Sequence, residues 1–352
     1  MVPESEHRFI RLNLITIIVT LVLILAGGVV RSTGSGMGCP DWPKCFDQYI
    51  PPTAVDQLPK NYKEKYVAGR LKKNERFAKL LDKMGKKDLA DSIRHDQTIT
   101  VPESFNVAKT WTEYINRLTG AVTGVLLLAL AVMSFAYKKL GKRIIVLSIL
   151  NLFVVFFQAW LGSIVVSTNL LAWIVTLHML LALVILAILI YTYYYSSSLH
   201  VQETTIMGKV FWLRMLLIVS IILTVLQITL GTEVREGIDA VAKQLLYQQR
   251  NVWVARVGEI FSYHRDLAIL VALVNVFVYQ IVMNKFGGKA TALRLGNLIV
   301  LVLVIQIASG LILSNFALPP FTQVIHLVFS TILFTLQFYL YLLVYRTNTY
   351  NQ

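Results

Sequence analysis

The sequence predicts an all-α integral membrane protein of eight transmembrane helices, arranged as two parallel-repeat four-helix bundles with an extra helical hairpin in the first external loop. Three observations predict it. Eight apolar runs each approach the length of a membrane span, polar residues inside those runs repeat at a fixed spacing, and one long charged loop separates the first two runs. The 352 residues are 56% hydrophobic, with a mean hydropathy of +0.63.

A bilayer core takes roughly 20 apolar residues per helical span. Runs of that size cover about 10–30, 114–136, 143–163, 173–195, 210–231, 262–283, 293–313 and 322–345. The first is too long, and too unlike a cleavage site, for a removable signal peptide, and is read as a span. Lys138, Lys139, Lys142 and Arg143 follow span 2, Lys209 and Arg214 flank span 5, and Lys285, Lys289 and Arg294 separate spans 6 and 7. The opposite loops, 164–172 and 314–321, carry no charge. The positive-inside rule then places both termini in the cytoplasm. The formal charge of +14 needs no nucleic acid to explain it, since it is topology signal plus one basic external loop.

The repeat has a constant offset of 148 residues: Arg117 maps to Arg265, Gln158 to Gln306, Gly162 to Gly310 and His178 to His326, while Asn116 maps to His264. Gly27-Gly28-Val29-Val30-Arg31 is echoed by Gly231-Thr232-Glu233-Val234-Arg235 at an offset of 204, and the excess of 56 is the extra length of the first external loop. Four spans per half is an even number, so the halves face the same way, as a parallel repeat. The expected division is residues 1–200, including the loop insertion at about 50–110, and residues 201–352. Within that insertion, mixed charges accompany Tyr62, Tyr66, Leu71, Phe77, Leu80, Leu81, Met84, Leu89 and Ile93, with Gly85 breaking the run. This pattern predicts a helical hairpin over the outer face, either a structural cap or a docking surface.

Among six histidines, His178, His264 and His326 each open an even-numbered span at matching depth. One intramembrane histidine can serve as a helix-to-helix hydrogen bond. Three in repeat register suit a metal cofactor held between facing helices, with His264 and His326 as a bis-histidine haem ligand pair. Zinc is the weaker option, because the second half lacks the thiolates and carboxylates that complete its ligand set. Arg117 and Arg265 directly follow the ligand positions, and Arg31 and Arg235 end the preceding odd spans. They are read as partners for haem propionates, or else as interfacial anchors. Glu113 has Phe261 at its repeat position, so one half alone carries a candidate proton acceptor or electrostatic stabiliser; the alternative is a plain i, i+4 pair with Arg117. Cys39 and Cys45, the only cysteines, lie just beyond span 1 in a compartment that tolerates disulfides, and their spacing allows one if the backbone turns back on itself.

The stretch Gly-Gly-x-Val-Arg-x-Thr-Gly-Ser-Gly-x-x-Cys-Pro-Asp-Trp-Pro-x-Cys (27–45), the Glu-x-x-x-Arg start of span 2 and the histidines of spans 4, 6 and 8 resemble the haem A synthase family. The likeness covers the chain except the loop insertion. It implies oxidation of a methyl group of haem O to the formyl group of haem A, for cytochrome oxidase. It also implies a haem b cofactor (iron protoporphyrin IX) at His264 and His326, flanked by Arg265 and Arg235. The substrate haem O would lie at Glu113, Asn116 and His178, flanked by Arg117 and Arg31. Cys39 and Cys45 are linked by the resemblance to electron transfer or haem handling. Family members resemble homo-oligomers of a bacterial-type plasma membrane, with haem sites near the outer face. They work beside haem O synthase, the farnesyl-transfer enzyme, and take electrons from a donor the sequence does not identify.

Two departures stand out. The family pattern on span 2 is Glu-x-x-His-Arg, whereas this chain has Asn116, an amide and a poor iron ligand. His178 is then the one strong protein ligand in that half, which predicts a haem that is five-coordinate or weakly six-coordinate through water. The second-half loop 232–261 has no cysteine, so any thiol relay runs through Cys39 and Cys45; a purely structural disulfide is the alternative. A di-haem cytochrome b acting as an electron carrier has no need of Glu113 or of a degraded ligand at 116. A transporter calls for polar residues near the midplane, whereas these cluster at the outer ends.

Overall fold

A computed structural model describes residues 3–101, 104–200, 205–207, 210–286, 290–346 and 348–350. Lys209 and Lys289, two of the topology residues, lie outside them. The helices are α1 (Glu4–Ser32), α2 (Tyr62–Lys83), α3 (Lys87–Arg94), α4 (Val107–Met133), α5 (Lys142–Ser167), α6 (Ala172–Ser198), α7 (Phe211–Gln244), α8 (Glu259–Phe286), α9 (Ala290–Asn315) and α10 (Pro320–Tyr345). Two three-residue strands, Thr205–Met207 and Asn348–Tyr350, pair in parallel. Among the described residues eight helices are long and apolar enough to cross a membrane, in the order expected. The shortest have about 26 residues, or about 39 Å at 1.5 Å per residue, which exceeds a hydrocarbon core of about 30 Å.

The chain packs as two compact units. One comprises Met1–Leu21, Leu126–Asn151 and Leu183–Gln352, and the other comprises Val22–Val125 and Leu152–Ala182. The division crosses α1, α4, α5 and α6, and α7 to α10 lie wholly in the first unit.

In the first unit, Leu213 and Leu217 of α7, Val271, Val278 and Phe286 of α8, Ile299 and Val302 of α9, and Leu333 and Leu340 of α10 form one core. A polar cluster sits among these helices. Ser220 donates to Asn275 Oδ1 at 3.0 Å, and Gln337 Nε2 donates to Ser220 Oγ at 2.9 Å and to Asn275 Oδ1 at 3.0 Å. These bonds offset most of the cost of burying such groups in apolar surroundings, with Gln337 Oε1 alone of the cluster left without a partner. The α7 helix runs to Gln244, past the apolar run that ends near 231. Its polar-looking extension still presents Val234, Ile238 and Val241 at helical spacing, which pack with Trp253, Val254 and Leu318.

In the second unit α2 and α3 form the hairpin that the loop composition predicts. Gly85 at the turn has φ of 76°, a conformation open to glycine without steric cost. Phe77, Ala78 and Leu81 of α2 and Ala90 and Ile93 of α3 pack on Leu161, Ile164 and Ile174. Asn74 Nδ2 donates to the Ser167 carbonyl at 2.8 Å, and Arg70 to the Val101 carbonyl at 3.0 Å. Leu71, Leu80 and Met84 belong to the same apolar set but do not join this core. These three are exposed, and the buried face takes Arg70 and Asn74 instead, because each reaches a backbone carbonyl that needs a donor.

The turns that lead into α6 and α10 repeat each other. Asn169 and Leu170 have positive φ (52° and 63°), and so do Ala317 and Leu318 (54° and 55°), at the same offset of 148. Two successive left-handed residues without glycine are uncommon, so this local match is independent of the residue types that reveal the repeat.

Candidate functional site

The first cluster is at the mouth of α4, in the second unit. Cys39 and Cys45 form a disulfide, so the backbone does turn back within six residues. Asp41 closes the loop from inside, its carboxylate accepting the backbone N–H groups of Phe46 (2.6 Å) and Asp47 (2.8 Å), both at positive φ. Arg117 donates to the carbonyls of Asp41 (2.5 Å), Cys39 (2.7 Å) and Lys44 (3.1 Å), and pairs with Glu113. Glu113, only 3% exposed, accepts the Cys39 N–H on its other oxygen at 2.7 Å. Thr110 Oγ1 donates to the Gly38 carbonyl at 2.9 Å. The loop lies so close to α4 here that a Cβ at Gly38 would fall 2.4 Å from the Lys109 carbonyl oxygen. The i, i+4 pairing of Glu113 with Arg117 is therefore present, and the four donor contacts of Arg117 all go to protein groups.

Outside the membrane helices the same loop holds Asp47 against Lys65 of α2. The hydrogen bond and charge of Lys65 keep the Asp47 carboxyl below its usual range. Lys73 of α2 titrates below the usual lysine range, through burial and the neighbouring Arg117 charge.

The second cluster is His178, on α6. Gly162 of α5 faces it so closely that a Cβ would meet His178 Cε1 at 3.2 Å. Gln158 Nε2, one turn earlier on α5, donates to the His178 carbonyl at 2.9 Å. His178 Nδ1, Gln158 Oε1 and Asn116 Oδ1 are buried without a hydrogen-bond partner. Asn116 faces Gly27 of α1, where a Cβ would lie 3.9 Å from Oδ1.

The third cluster, in the first unit, repeats this construction. His264 of α8 and His326 of α10 have ring centroids 6.3 Å apart and planes at 63°. Gly310 of α9 faces His326 (3.5 Å from a Cβ to Cε1) and Gly231 of α7 faces His264 (3.3 Å). Gln306 Nε2 donates to the His326 carbonyl at 2.7 Å, and Gln227 Nε2 to that of His264 at 2.8 Å. Ser309 Oγ lies 2.8 Å from His326 Nδ1. Arg235 reaches Gln323 (2.5 Å) and Asp239 (3.2 Å). Arg265 is 62% exposed and pairs with Asp266, while Arg31 closes the last turn of α1.

Spacing alone points to neither Gln227 nor Ser309, yet both touch the paired histidines. A signal existed in the repeat, because the corresponding positions hold Leu23 and Leu161. A polar residue in one half opposite an apolar one in the other marks something that only one half needs.

Among the described residues no group of three or more His, Cys, Asp or Glu is placed to hold a metal ion. A bare zinc site needs four ligands. Two imidazoles with no third His, Cys, Asp or Glu beside them among the described residues instead fit a metal whose remaining positions a macrocycle fills. Metal–imidazole bonds of roughly 2 Å on either side of one atom fit within a 6.3 Å centroid separation. The residues present fit a haem.

A family profile described as cytochrome oxidase assembly protein matches residues 10–79 and 84–338. The match runs through most of the loop insertion at 50–110, which corrects the expectation that the likeness leaves that insertion out. The chain is 23% identical over 345 residues to a heme A synthase of Shouchella clausii, covering 96% of this chain and 97% of that one. It is 25% identical over 336 residues to a heme A synthase of Ehrlichia canis, covering 91% and 88%. A heme A synthase of Shewanella oneidensis matches at 24% over 219 residues, 62% of this chain and about half (54%) of its own length.

Proposed function

The chain belongs to the cytochrome oxidase assembly protein family (COX15-CtaA), and we propose that it is a haem A synthase. It is a membrane oxidoreductase that converts a methyl substituent of haem O, through the alcohol, to the formyl group of haem A. The observation that carries this reading is the His264–His326 pair, two neighbouring imidazoles with no third His, Cys, Asp or Glu beside them among the described residues, in a chain similar to heme A synthases.

His264 and His326 hold a resident haem b, which supplies electron-transfer chemistry when bound. Gly231 and Gly310 let α7 and α9 approach the two rings without a side chain between. Arg235, which holds Gln323 and Asp239, and Arg265, which holds Asp266, are the cations that would turn to the propionates of that haem, and Arg31 to those of the substrate haem. His178 is the strong ligand for haem O, and Asn116 stands where a second imidazole would be. The orphaned buried atoms Asn116 Oδ1 and His178 Nδ1 support a ligand there, since buried polar groups normally have partners.

Glu113 and Arg117 act by fixing the 39–45 loop against α4, one turn from Asn116 on the same helix face. Each Glu113 oxygen already accepts a hydrogen bond, and each has a second lone pair that leaves proton acceptance open to it. The pair also places a fixed dipole beside the substrate that can stabilise developing charge.

The wider arrangement is part of the same proposal. Residues 1–200 and 201–352 form the two bundles, both termini are cytoplasmic, and the haem sites lie near the outer face of a plasma membrane. The protein works as a homo-oligomer beside haem O synthase. A di-haem electron carrier is the weaker reading, because Leu23, Asn116 and Leu161 stand where Gln227, His264 and Ser309 build the other site. The test is pigment analysis of a host that makes haem O, with and without this protein. Haem A appearing only with the protein is the expected result, and its absence overturns the reading.

A further inference from the structure

The two histidines that follow Gln-x-x-x-Gly helices differ in what holds the far side of the ring. Ser309 is buried, and its hydroxyl lies 3.0 Å from the Gln306 carbonyl and 2.8 Å from His326 Nδ1. The hydroxyl has one proton. When it goes to the Gln306 carbonyl, the usual backbone acceptor for a helical serine, the oxygen is left to accept from Nδ1–H. His326 is then the tautomer with an open Nε2 lone pair, oriented and made more basic by its second hydrogen bond. In the other half Leu161 occupies this position. Its side chain is part of the apolar cluster formed with Phe77, Leu81 and Ile93 of the external hairpin, and His178 Nδ1 has no partner.

We propose that Ser309 is a positioning residue that makes His326 a permanent haem ligand, and that Leu161 in its place makes His178 a releasable one. The substitution at a single repeat position thereby separates a site that keeps its haem from a site that exchanges it. This rests on the haem A synthase reading, in which the first half must take up substrate and release product. It also gives the hairpin a part: its apolar core takes up the residue that otherwise would anchor the ring.

The experiment uses full-length protein purified from a host that supplies haem O, with haem loss to excess apomyoglobin followed by absorbance and the haem midpoint potential by redox titration. Wild type is expected to lose haem in a slow phase, from His264 and His326, and a fast phase, from His178. Ser309→Ala should accelerate the slow phase about tenfold and raise the midpoint potential of that haem, since lost ligand hydrogen bonds cost roughly 10–100-fold in metal affinity. A merely structural role for the hydroxyl would not move the potential. Leu161→Ser should slow the fast phase by about the same factor and leave the slow phase alone. Ser309→Ala with wild-type slow phase and potential overturns the proposal. His326→Ala is the control on the underlying reading: if it retains the slow-phase haem, the haem assignment fails, independently of Ser309.

Discussion

Glu113 accepts the backbone N–H of Cys39 at 2.7 Å, 74 residues away in sequence. With Arg117 on the surrounding carbonyls, this bond makes the disulfide loop and the first turns of α4 one structure. The carboxylate that the sequence offers as a candidate proton acceptor or electrostatic stabiliser is thus also the anchor of a covalently closed loop.

Glu113→Ala should therefore do two things. It leaves the Arg117 cation without its buried counter-charge, which costs roughly 3–5 kcal/mol when one member of such a pair is removed. It should also abolish haem A formation while the haem at His264 and His326, in the other unit, keeps its spectrum. Thermal unfolding in detergent and optical spectra read the two effects separately. Loss of the resident haem together with activity would make Glu113 a residue of the whole fold rather than of the substrate site.

The disulfide is buried, with Cys39 at 0% and Cys45 at 1% exposure, and exchange requires access to a sulfur. Mild reductant followed by maleimide should label neither cysteine until the protein is unfolded. Cys39→Ser should cost roughly 2 kcal/mol, the entropy of closing so short a loop, with Arg117 still holding the carbonyls. Rapid labelling of the native protein, with haem A yield lost in Cys39→Ser, would favour a redox relay.

Asn116→His restores an imidazole opposite Gly27, where the nearest approach of a glycine Cβ to Asn116 Oδ1 is 3.9 Å. The first-half haem should become six-coordinate and low-spin, and should leave the site more slowly, with lower turnover. An unchanged spectrum would mean that position 116 does not face the iron.

Low pH tests the outer loop. The Asp47 carboxyl is held below its usual range by Lys65. A carboxyl depressed in the folded state contributes stability that is complete above its unfolded pKa and fades as pH falls through the folded one. Unfolding measured from pH 7 downward should show no loss from this pair until the pH is below about 4. Because the pair is solvent-accessible, Lys65→Met should cost no more than about 1 kcal/mol at pH 7. A larger loss at neutral pH would show that Lys65 supports more than Asp47.

Much of the fold is legible in the sequence because its signals are coarse and repeated. Apolar runs mark the eight spans, Gly85 marks the hairpin turn, and Gln158/Gln306 with Gly162/Gly310 mark the matching surroundings of His178 and His326. The extension of α7 to Gln244 is not, because an amphipathic turn outside an apolar run looks like loop. Nor are the three carbonyls that Arg117 reaches, because backbone acceptors carry no residue identity. Ser309 and Gln227 are hidden for another reason. Each is a single polar residue in an apolar helix, and only the structure puts it beside a histidine.

The central claim is that one half of this chain binds haem through two histidines and the other through one. Low-temperature electron paramagnetic resonance of the purified, haem-loaded protein tests it most directly. One bis-histidine low-spin signal per chain is predicted, lost in both His264→Ala and His326→Ala and untouched by His178→Ala. Two equal bis-histidine signals, or a signal that survives both substitutions, would contradict it.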